Sequence, residues 1–164
     1  MSEFKLKEEW AGEHRGIRCK VVRHRALLNP TWCYYIYLPK EQIPTEYQRK
    51  FFISGDKYYF DCPIISNLDW HGGITYYEKE YTDGKLVGVE MGCDYAHAFD
   101  DNKHYELPNI LEDMRHSVDV LRDSVPLKWQ STWDHSYHNS EEQAISHGKQ
   151  KQDAYKRSNH LWAT

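Results

Sequence analysis

Two short segments of the sequence contain side chains that can ligate a metal ion or transfer a proton. They are residues 69–75 (DWHGGIT) and residues 92–100 (GCDYAHAFD). Imidazole and carboxylate groups together suit Zn, Mn or Fe(II) better than Mg or Ca, which prefer oxygen ligands. The sequence therefore predicts a divalent metal as the candidate cofactor. It offers four candidate ligands, which are His71, Asp94, His97 and Asp100.

A Gly-Gly pair follows the first candidate histidine. Glycine permits backbone conformations that a Cβ atom would block, and it allows a ligand to approach the main chain closely. Backbone amides exposed in this way can also hold an anion. The sequence therefore predicts a ligand pocket lined by His71, Gly72, Gly73, Thr75, Asp94 and His97.

A predicted β-hairpin over residues 73–91 would bring the two segments together. Residues that favour strands alternate on both sides of an Asp-Gly pair at 83–84, which is the strongest short-range signal of a hairpin turn. The outer ends of a hairpin meet at one end of the paired strands. We therefore expect His71 and His97 to face one polar pocket together with Asp94.

Two further side chains are weaker candidates for the same pocket. Glu90 lies near the end of the second hairpin strand and could point inward, and Cys93 has acidic and histidine neighbours that a reactive thiol needs. A purely structural interpretation of the region also stays open. In that case the glycines form a bulge, Asp94 caps a turn and His97 bonds a backbone carbonyl group.

The remaining pattern predicts an α+β fold. Strands are expected at residues 18–24 and 32–38, a short helix that Pro44 opens and that runs through residues 48–52, and a turn at Gly55-Asp56. One main helix is predicted over about 107–124, packed on an antiparallel sheet. Its apolar stripe is Leu111, Met114, Val118 and Leu121. Residues 1–16 are expected to form a short helix or an arm.

Residues 1–128 are predicted to form a single α+β domain, and residues 129–164 a polar, histidine-rich tail outside the core. Residues 141–157 of this tail could form an exposed helix. The tail also offers a weaker candidate metal site, formed by Asp134, His135 and His138.

Composition restricts the partners that we expect. The net charge is −4 and the isoelectric point about 6.2, so no general affinity for nucleic acid or for anionic membranes is expected. No apolar run is long enough for a spanning helix or a signal peptide. The four cysteines form no CxxC pair, and without a secretory signal we expect free thiols and a cytoplasmic location.

Four segments, in order, resemble a family of small hypothetical proteins from phages and bacteria. They are residues 19–23 (CKVVR), 33–39 (CYYIYLP), 71–76 (HGGITY) and 92–100 (GCDYAHAFD). The family pattern reads C-x-V-x-R, CGYV-x-VP, HGGLTY and GFDCAHAGD, and the resemblance covers about residues 16–125. It implies a phage or prophage origin and the host cytoplasm. Tyr95 stands where the family has cysteine, which argues against a thiol ligand there.

Three functions are compatible with these features. The first is a phage-type protein whose His/Asp pocket binds a metal or a small ligand, such as a nucleotide or phosphorylated molecule, and counters a host defence system. The second is a metal-dependent hydrolase of a phosphoester or nucleotide. The third is a structural or interaction protein without a ligand site. The expected partner is accordingly a small molecule or a host protein.

Overall fold

The computed structural model describes residues 9–24, 30–53 and 62–162, with side chains described as far as Ser158. Five strands form one antiparallel sheet in the order β1-β2-β3-β5-β4. The strands are β1 (Glu9–His14), β2 (Ile17–His24), β3 (Thr31–Pro39), β4 (Tyr76–Thr82) and β5 (Lys85–Asp94). The main helices are α1 (Thr45–Phe51), α2 (Pro63–Ser66), α3 (Leu107–Ser124) and α4 (Glu141–Trp162). The predicted α+β fold is confirmed.

Both tight hairpins of the sheet turn through two residues with positive φ. Arg15 and Gly16 have φ of 49° and 74°, and Asp83 and Gly84 have φ of 52° and 77°. Positive φ at both central positions defines a type I′ turn, whose twist matches that of paired strands. The predicted hairpin about the second of these turns is therefore confirmed.

The ends of this hairpin differ from the prediction. β4 begins at Tyr76 rather than at residue 73, because Gly72 and Gly73 have φ of 68° and 101°, outside the strand region. β5 continues to Asp94 rather than ending at residue 91, because it also pairs with β3 as far as Cys33. Pairing with β3 thus extends the second strand beyond its apolar alternation.

One face of the sheet packs against α3. The predicted range of this helix agrees with the structure, but Ile110 is fully buried where Leu111 was expected, and Leu111 is only partly buried. The fully buried side chains of the strands and α3 include Ile17, Val21, Tyr34, Ile36, Leu38, Val89, Met91, Ile110, Met114, Val118 and Leu121. The helix thus covers the inner face of the sheet and fixes the direction in which the neighbouring loops leave it.

The prediction for the N-terminal segment was wrong where the structure describes it. Residues 9–14 form the edge strand β1 and not a helix or an arm, because they pair with β2 through the first type I′ turn. Residues 1–8 lie outside the described part of the chain, as does the turn predicted at Gly55-Asp56. The short helix predicted to open at Pro44 is α1, which begins directly after this proline and ends at Phe51.

The tail forms a small hairpin followed by a helix. The hairpin consists of β6 (Trp129–Gln130) and β7 (Tyr137–His138), and α4 then continues through Gly148 to Trp162, beyond the predicted end. The tail contacts the body, since the Arg122 guanidinium group lies 3.7 Å from the centre of the Trp129 ring. Whether residues 1–128 fold alone stays a prediction.

The helices contain no candidate for a membrane span. Within the described ranges, none is both long enough and apolar enough to cross a bilayer. α4 has the length, but its sequence is polar.

The thiols provide a test of the burial pattern. Cys19, Cys33 and Cys93 are buried, whereas Cys62 is half-buried. Burial raises the pKa of Cys19 and Cys93 to about 12.

We expect Ellman's reagent to titrate one thiol per chain, Cys62, in the native protein and four after denaturation without reductant. Cys62→Ser should abolish the native signal. A native count of three, or a denatured count of two, would contradict this assignment.

Candidate functional site

Two loops lie side by side at one end of β4 and β5. The loop before β4 is held by the Thr75 backbone N–H, which donates to the Gly92 carbonyl oxygen at 3.0 Å. The loop after β5 is held by the Tyr95 backbone N–H, which donates to the Trp32 carbonyl oxygen at 2.9 Å. Backbone bonds to the neighbouring strands thus carry both segments to the same place, as the hairpin prediction required.

A buried carboxylate links two imidazoles in this place. His71 Nε2 lies 2.6 Å from Asp100 Oδ1, and His97 Nδ1 lies 2.9 Å from Asp100 Oδ2. The Asp100 side chain has no exposed surface, whereas those of His71 and His97 are 18 % and 25 % exposed. The histidines therefore form the solvent-facing side of the cluster and the carboxylate forms its base.

Asp100 also accepts two hydrogen bonds from outside the imidazoles. The His97 backbone N–H donates to Oδ2 at 3.0 Å, and the Tyr105 hydroxyl donates to Oδ1 at 3.0 Å. Burial by itself would raise the pKa of the Asp100 carboxyl group. The backbone bond, the two imidazoles and the tyrosine outweigh burial and hold this pKa below its usual value. The carboxylate is thus kept ionised at neutral pH.

The carboxylate also selects the tautomers of the histidines when they are neutral. A carboxylate oxygen only accepts, so the facing nitrogen of each ring must carry the proton. His71 is then protonated at Nε2 and His97 at Nδ1. The other nitrogen of each ring keeps a lone pair, which can accept a proton or bind a metal.

Aromatic rings fix the planes of both imidazoles. His71 is stacked on Tyr95, with ring centroids 3.7 Å apart and planes within 9°. The Tyr95 hydroxyl in turn donates to Asp113 Oδ2 on α3 at 2.5 Å. His97 is stacked on Phe99 at 5.1 Å, and Phe99 is 70 % exposed. One histidine is therefore anchored to the core, whereas the other lies beneath an exposed ring.

The two glycines serve different purposes. A Cβ atom on Gly72, whose φ is 68°, would overlap the His97 imidazole. A Cβ atom on Gly73 would meet nothing within 4 Å, although its φ of 101° is also positive. Gly72 therefore leaves room for His97 itself, and Gly73 borders open space in which a ligand could approach the main chain.

The structure brings together three of the four predicted ligands, which are His71, His97 and Asp100, but not Asp94. Asp94 follows Cys93 on β5 and lies opposite Cys33, so its side chain leaves the sheet on the face away from His71. Its Oδ1 accepts the Ala96 backbone N–H at 3.2 Å, which is the turn-capping role. Asp94 therefore belongs neither to the His71–His97 pocket nor to the candidate metal ligands.

Three other candidates contribute no ligand to the cluster. Glu90 is on the same outer face as Asp94, with Oε2 3.4 Å from Lys20 Nζ. Thr75 is exposed, and its contribution is the backbone bond to Gly92. Cys93 points into the core with a raised pKa, which is contrary to a reactive thiol.

The cluster has the composition of a metal site. One donor atom each from His71, His97 and Asp100 lie within 4.8 Å of one another, and no second group of this kind occurs among the residues that the structure describes. The weaker candidate in the tail does not assemble as predicted. Asp134 Oδ2 lies 2.7 Å from His147 Nε2, and His138 Nε2 faces the Ser136 hydroxyl.

Sequence reasoning missed the residues that support the site. Tyr95, Tyr105 and Asp113 orient the imidazoles or the carboxylate, but each has the type and spacing of an ordinary core or surface residue. Tyr95 alone lies in one of the two candidate segments, residues 92–100, where the family pattern has cysteine. Its stacking on His71 could not be read from that position.

Comparisons with protein-family models, with curated proteins and with solved structures find no match for this chain. The resemblance to small phage and bacterial proteins therefore stays a prediction carried by four sequence segments. What the site can bind follows from its own residues and distances.

Gly72→Ala should displace His97, because the new methyl group would occupy the position of the imidazole. Gly73→Ala is the matched control, since its φ is also positive but there is open space around the methyl group. We expect strain of ~1–3 kcal/mol in both variants. A large change in the His97 imidazole NMR signals is expected in Gly72→Ala alone. Equal changes in both variants would contradict the packing described here.

Asp100→Asn should alter the acid stability of the protein. A carboxyl group with a lowered folded-state pKa contributes stability above its unfolded-state pKa of ~3.9, and this stability is lost as the pH falls through the folded-state pKa. Between about pH 5 and pH 2 the free energy of unfolding should therefore fall more steeply in the wild type than in the variant. Urea titrations across this range measure the slopes, with Asp94→Asn as the control. Parallel slopes in wild type and Asp100→Asn would refute the assignment.

Proposed function

We propose that this chain binds one divalent transition-metal ion through His71, His97 and Asp100. The observation that carries the proposal is the convergence of two imidazoles on one buried carboxylate, with donor atoms within 4.8 Å of one another. Metal–ligand bonds of ~2.0–2.1 Å require donors within about 4 Å, so small rotations of the side chains suffice. Mixed nitrogen and oxygen donors favour Zn, Mn or Fe(II).

The surroundings of the cluster support a preorganised site. Ligating histidines and carboxylates in metal proteins are commonly held by further hydrogen bonds and by packing, which reduce the cost of ordering them. Here Tyr105 bonds the carboxylate, and Tyr95, fixed by Asp113, supports the His71 ring. Both supports come from residues outside the ligand set, so they would remain in place when the ion binds.

Three protein donors leave coordination positions open for a ligand. The open space beside Gly73 and the exposed Phe99 ring adjoin those positions, and they suit an anionic group and a planar group, respectively. We therefore propose a small phosphorylated or nucleotide-type ligand for the loaded site. In the phage-type setting that the sequence resemblance implies, capture of such a ligand would counter a host defence system.

Hydrolysis is the second candidate function. Sites with three protein ligands and an open position are typical of metal ions that activate water. The coordination positions that the three protein donors leave open favour this candidate, because a water molecule could bind the ion at one of them. Turnover of a phosphoester by the loaded protein distinguishes hydrolysis from binding alone.

Metal binding can be tested by titrating the apo protein with Co(II) and Zn(II), using the Co(II) absorption spectrum and isothermal calorimetry. We expect one site per chain, lost in His71→Ala, His97→Ala and Asp100→Asn. Asp94→Asn is the matched control for the carboxylate and should bind as the wild type does. Tyr105→Phe should weaken binding by roughly 10-fold or more, as the loss of a supporting hydrogen bond does elsewhere.

The tail histidines need a separate control, because they could bind Co(II) independently. The double variant His138→Ala/His147→Ala should retain the site. The proposal fails if this double variant loses the site, or if Asp100→Asn binds as well as Asp94→Asn. In that event the cluster is a structural network, which is the third function expected from the sequence.

A further inference from the structure

The second half of α4 lies at the surface, where the Tyr155 ring contacts Trp133 and none of the described side chains is buried. The helix has 22 residues and is therefore about 33 Å long. Its first two turns pack on the β6–β7 hairpin, where Ala144 is buried and Gly148 faces Ser131. Every residue from 149 to 158 is exposed. Because most of the stability of a protein helix comes from packing of one face, this half lacks the usual source of stability.

An exposed apolar patch is formed by residues of α4 and of the loop between β6 and β7. Trp133, Ile145 and Tyr155 are 42 %, 64 % and 57 % exposed, and the Trp133 and Tyr155 ring centroids are 5.8 Å apart. They make up three of the five large apolar side chains that are exposed in the described parts of the chain. The patch borders a groove of about 530 Å³ between α4 and Trp129. Contiguous apolar surface of this kind marks an interaction site more often than isolated exposed residues do.

Charge is segregated along the same helix. Glu141 and Glu142 lie in the first turn, whereas the distal half has four cations and one acid between residues 149 and 158. The cations are Lys149, Lys151, Lys156 and Arg157, and the acid is Asp153. Two such helices laid side by side in opposite directions bring the acidic turn of each against the basic half of the other. In a parallel arrangement, like charges would face each other.

We propose that α4 is a dimerisation element that pairs with α4 of a second copy of this chain in an antiparallel arrangement. A twofold axis near the middle of the helix places the same surface on both sides of the interface, as isologous dimers require. Glu141 and Glu142 then face Arg157 and Lys156 of the other copy, and the axis passes close to Gly148, beside which Trp133 of each apolar patch lies. The dimer does not depend on the metal site, which lies on a different part of the fold.

Charge reversal on the full-length protein tests the arrangement. Sedimentation equilibrium should show a concentration-dependent dimer for the wild type. Glu141→Lys/Glu142→Lys and Lys156→Glu/Arg157→Glu should each raise the dimer Kd by roughly 10-fold or more, because like charges would then be opposed. The combined fourfold variant restores the pairing and should return the Kd close to that of the wild type. Lys40→Glu/Lys85→Glu, on exposed sites outside the tail, is the control for a change in net charge.

The fourfold variant separates pairing between copies from an effect inside one helix. Acids at a helix start and bases at its end also stabilise a monomeric helix through the macrodipole. If only that effect operated, the fourfold variant would carry the penalties of both double variants, and circular dichroism would show the lowest helix content. Recovery of the dimer in the fourfold variant supports the proposal. A wild type that stays monomeric to high concentration, or a fourfold variant weaker than either double variant, overturns it.

Discussion

The ionised carboxylate of Asp100 is the group on which the arrangement around the candidate site depends. A carboxylate without solvent contact is costly unless charged or hydrogen-bonded partners compensate for its lost hydration. Asp100 has four such partners, which come from the loop before β4, from its own loop and from Tyr105. Backbone hydrogen bonds to the sheet bring the two loops close together. The hydrogen bonds that compensate the buried charge of Asp100 then join these loops to each other.

The sheet and α3 supply the rigid frame for this charge. Tyr34 on β3 accepts the His71 backbone N–H at 3.3 Å, and its hydroxyl oxygen lies 2.8 Å from Ser117 Oγ on α3. Tyr95 and Asp113 form a second link from the site to the same helix. A histidine supported through both its backbone and its ring face loses little freedom when it binds a ligand, which is the advantage of preorganisation.

The start of the tail is attached to the body by the Arg122 side chain of α3 and the Trp129 ring. Arg122 donates to the carbonyl oxygens of Arg15 and Lys128 while its guanidinium group stacks on Trp129. Burial lowers the pKa of Arg122 to about 10, but the group stays protonated at neutral pH. These contacts hold the start of the tail on the first hairpin and leave the distal half of α4 exposed to solvent.

Much of the local structure was determined by the sequence itself. The Asp-Gly turn requires only residues that tolerate positive φ, and the α3 stripe requires only the helical period, so both could be predicted without tertiary information. Edge strand β1 could not, because its alternation is weak and its identity depends on pairing with β2. The proximity of His71 and His97 also followed from the sequence, since a hairpin brings its outer ends together.

The choice between Asp94 and Asp100 was made only by the tertiary structure. Both acids are close to His97 in sequence, so spacing did not distinguish them. β5 continues to Asp94 because β3 pairs with it there, and the strand period then turns this side chain to the outer face. In the loop that follows, the Asp100 backbone N–H donates to the His97 carbonyl oxygen and closes a turn. This turn places the Asp100 carboxylate between the imidazoles. Strand length is decided by hydrogen bonding to a neighbouring strand, which is why the sequence named both carboxylates as ligands but could not choose between them.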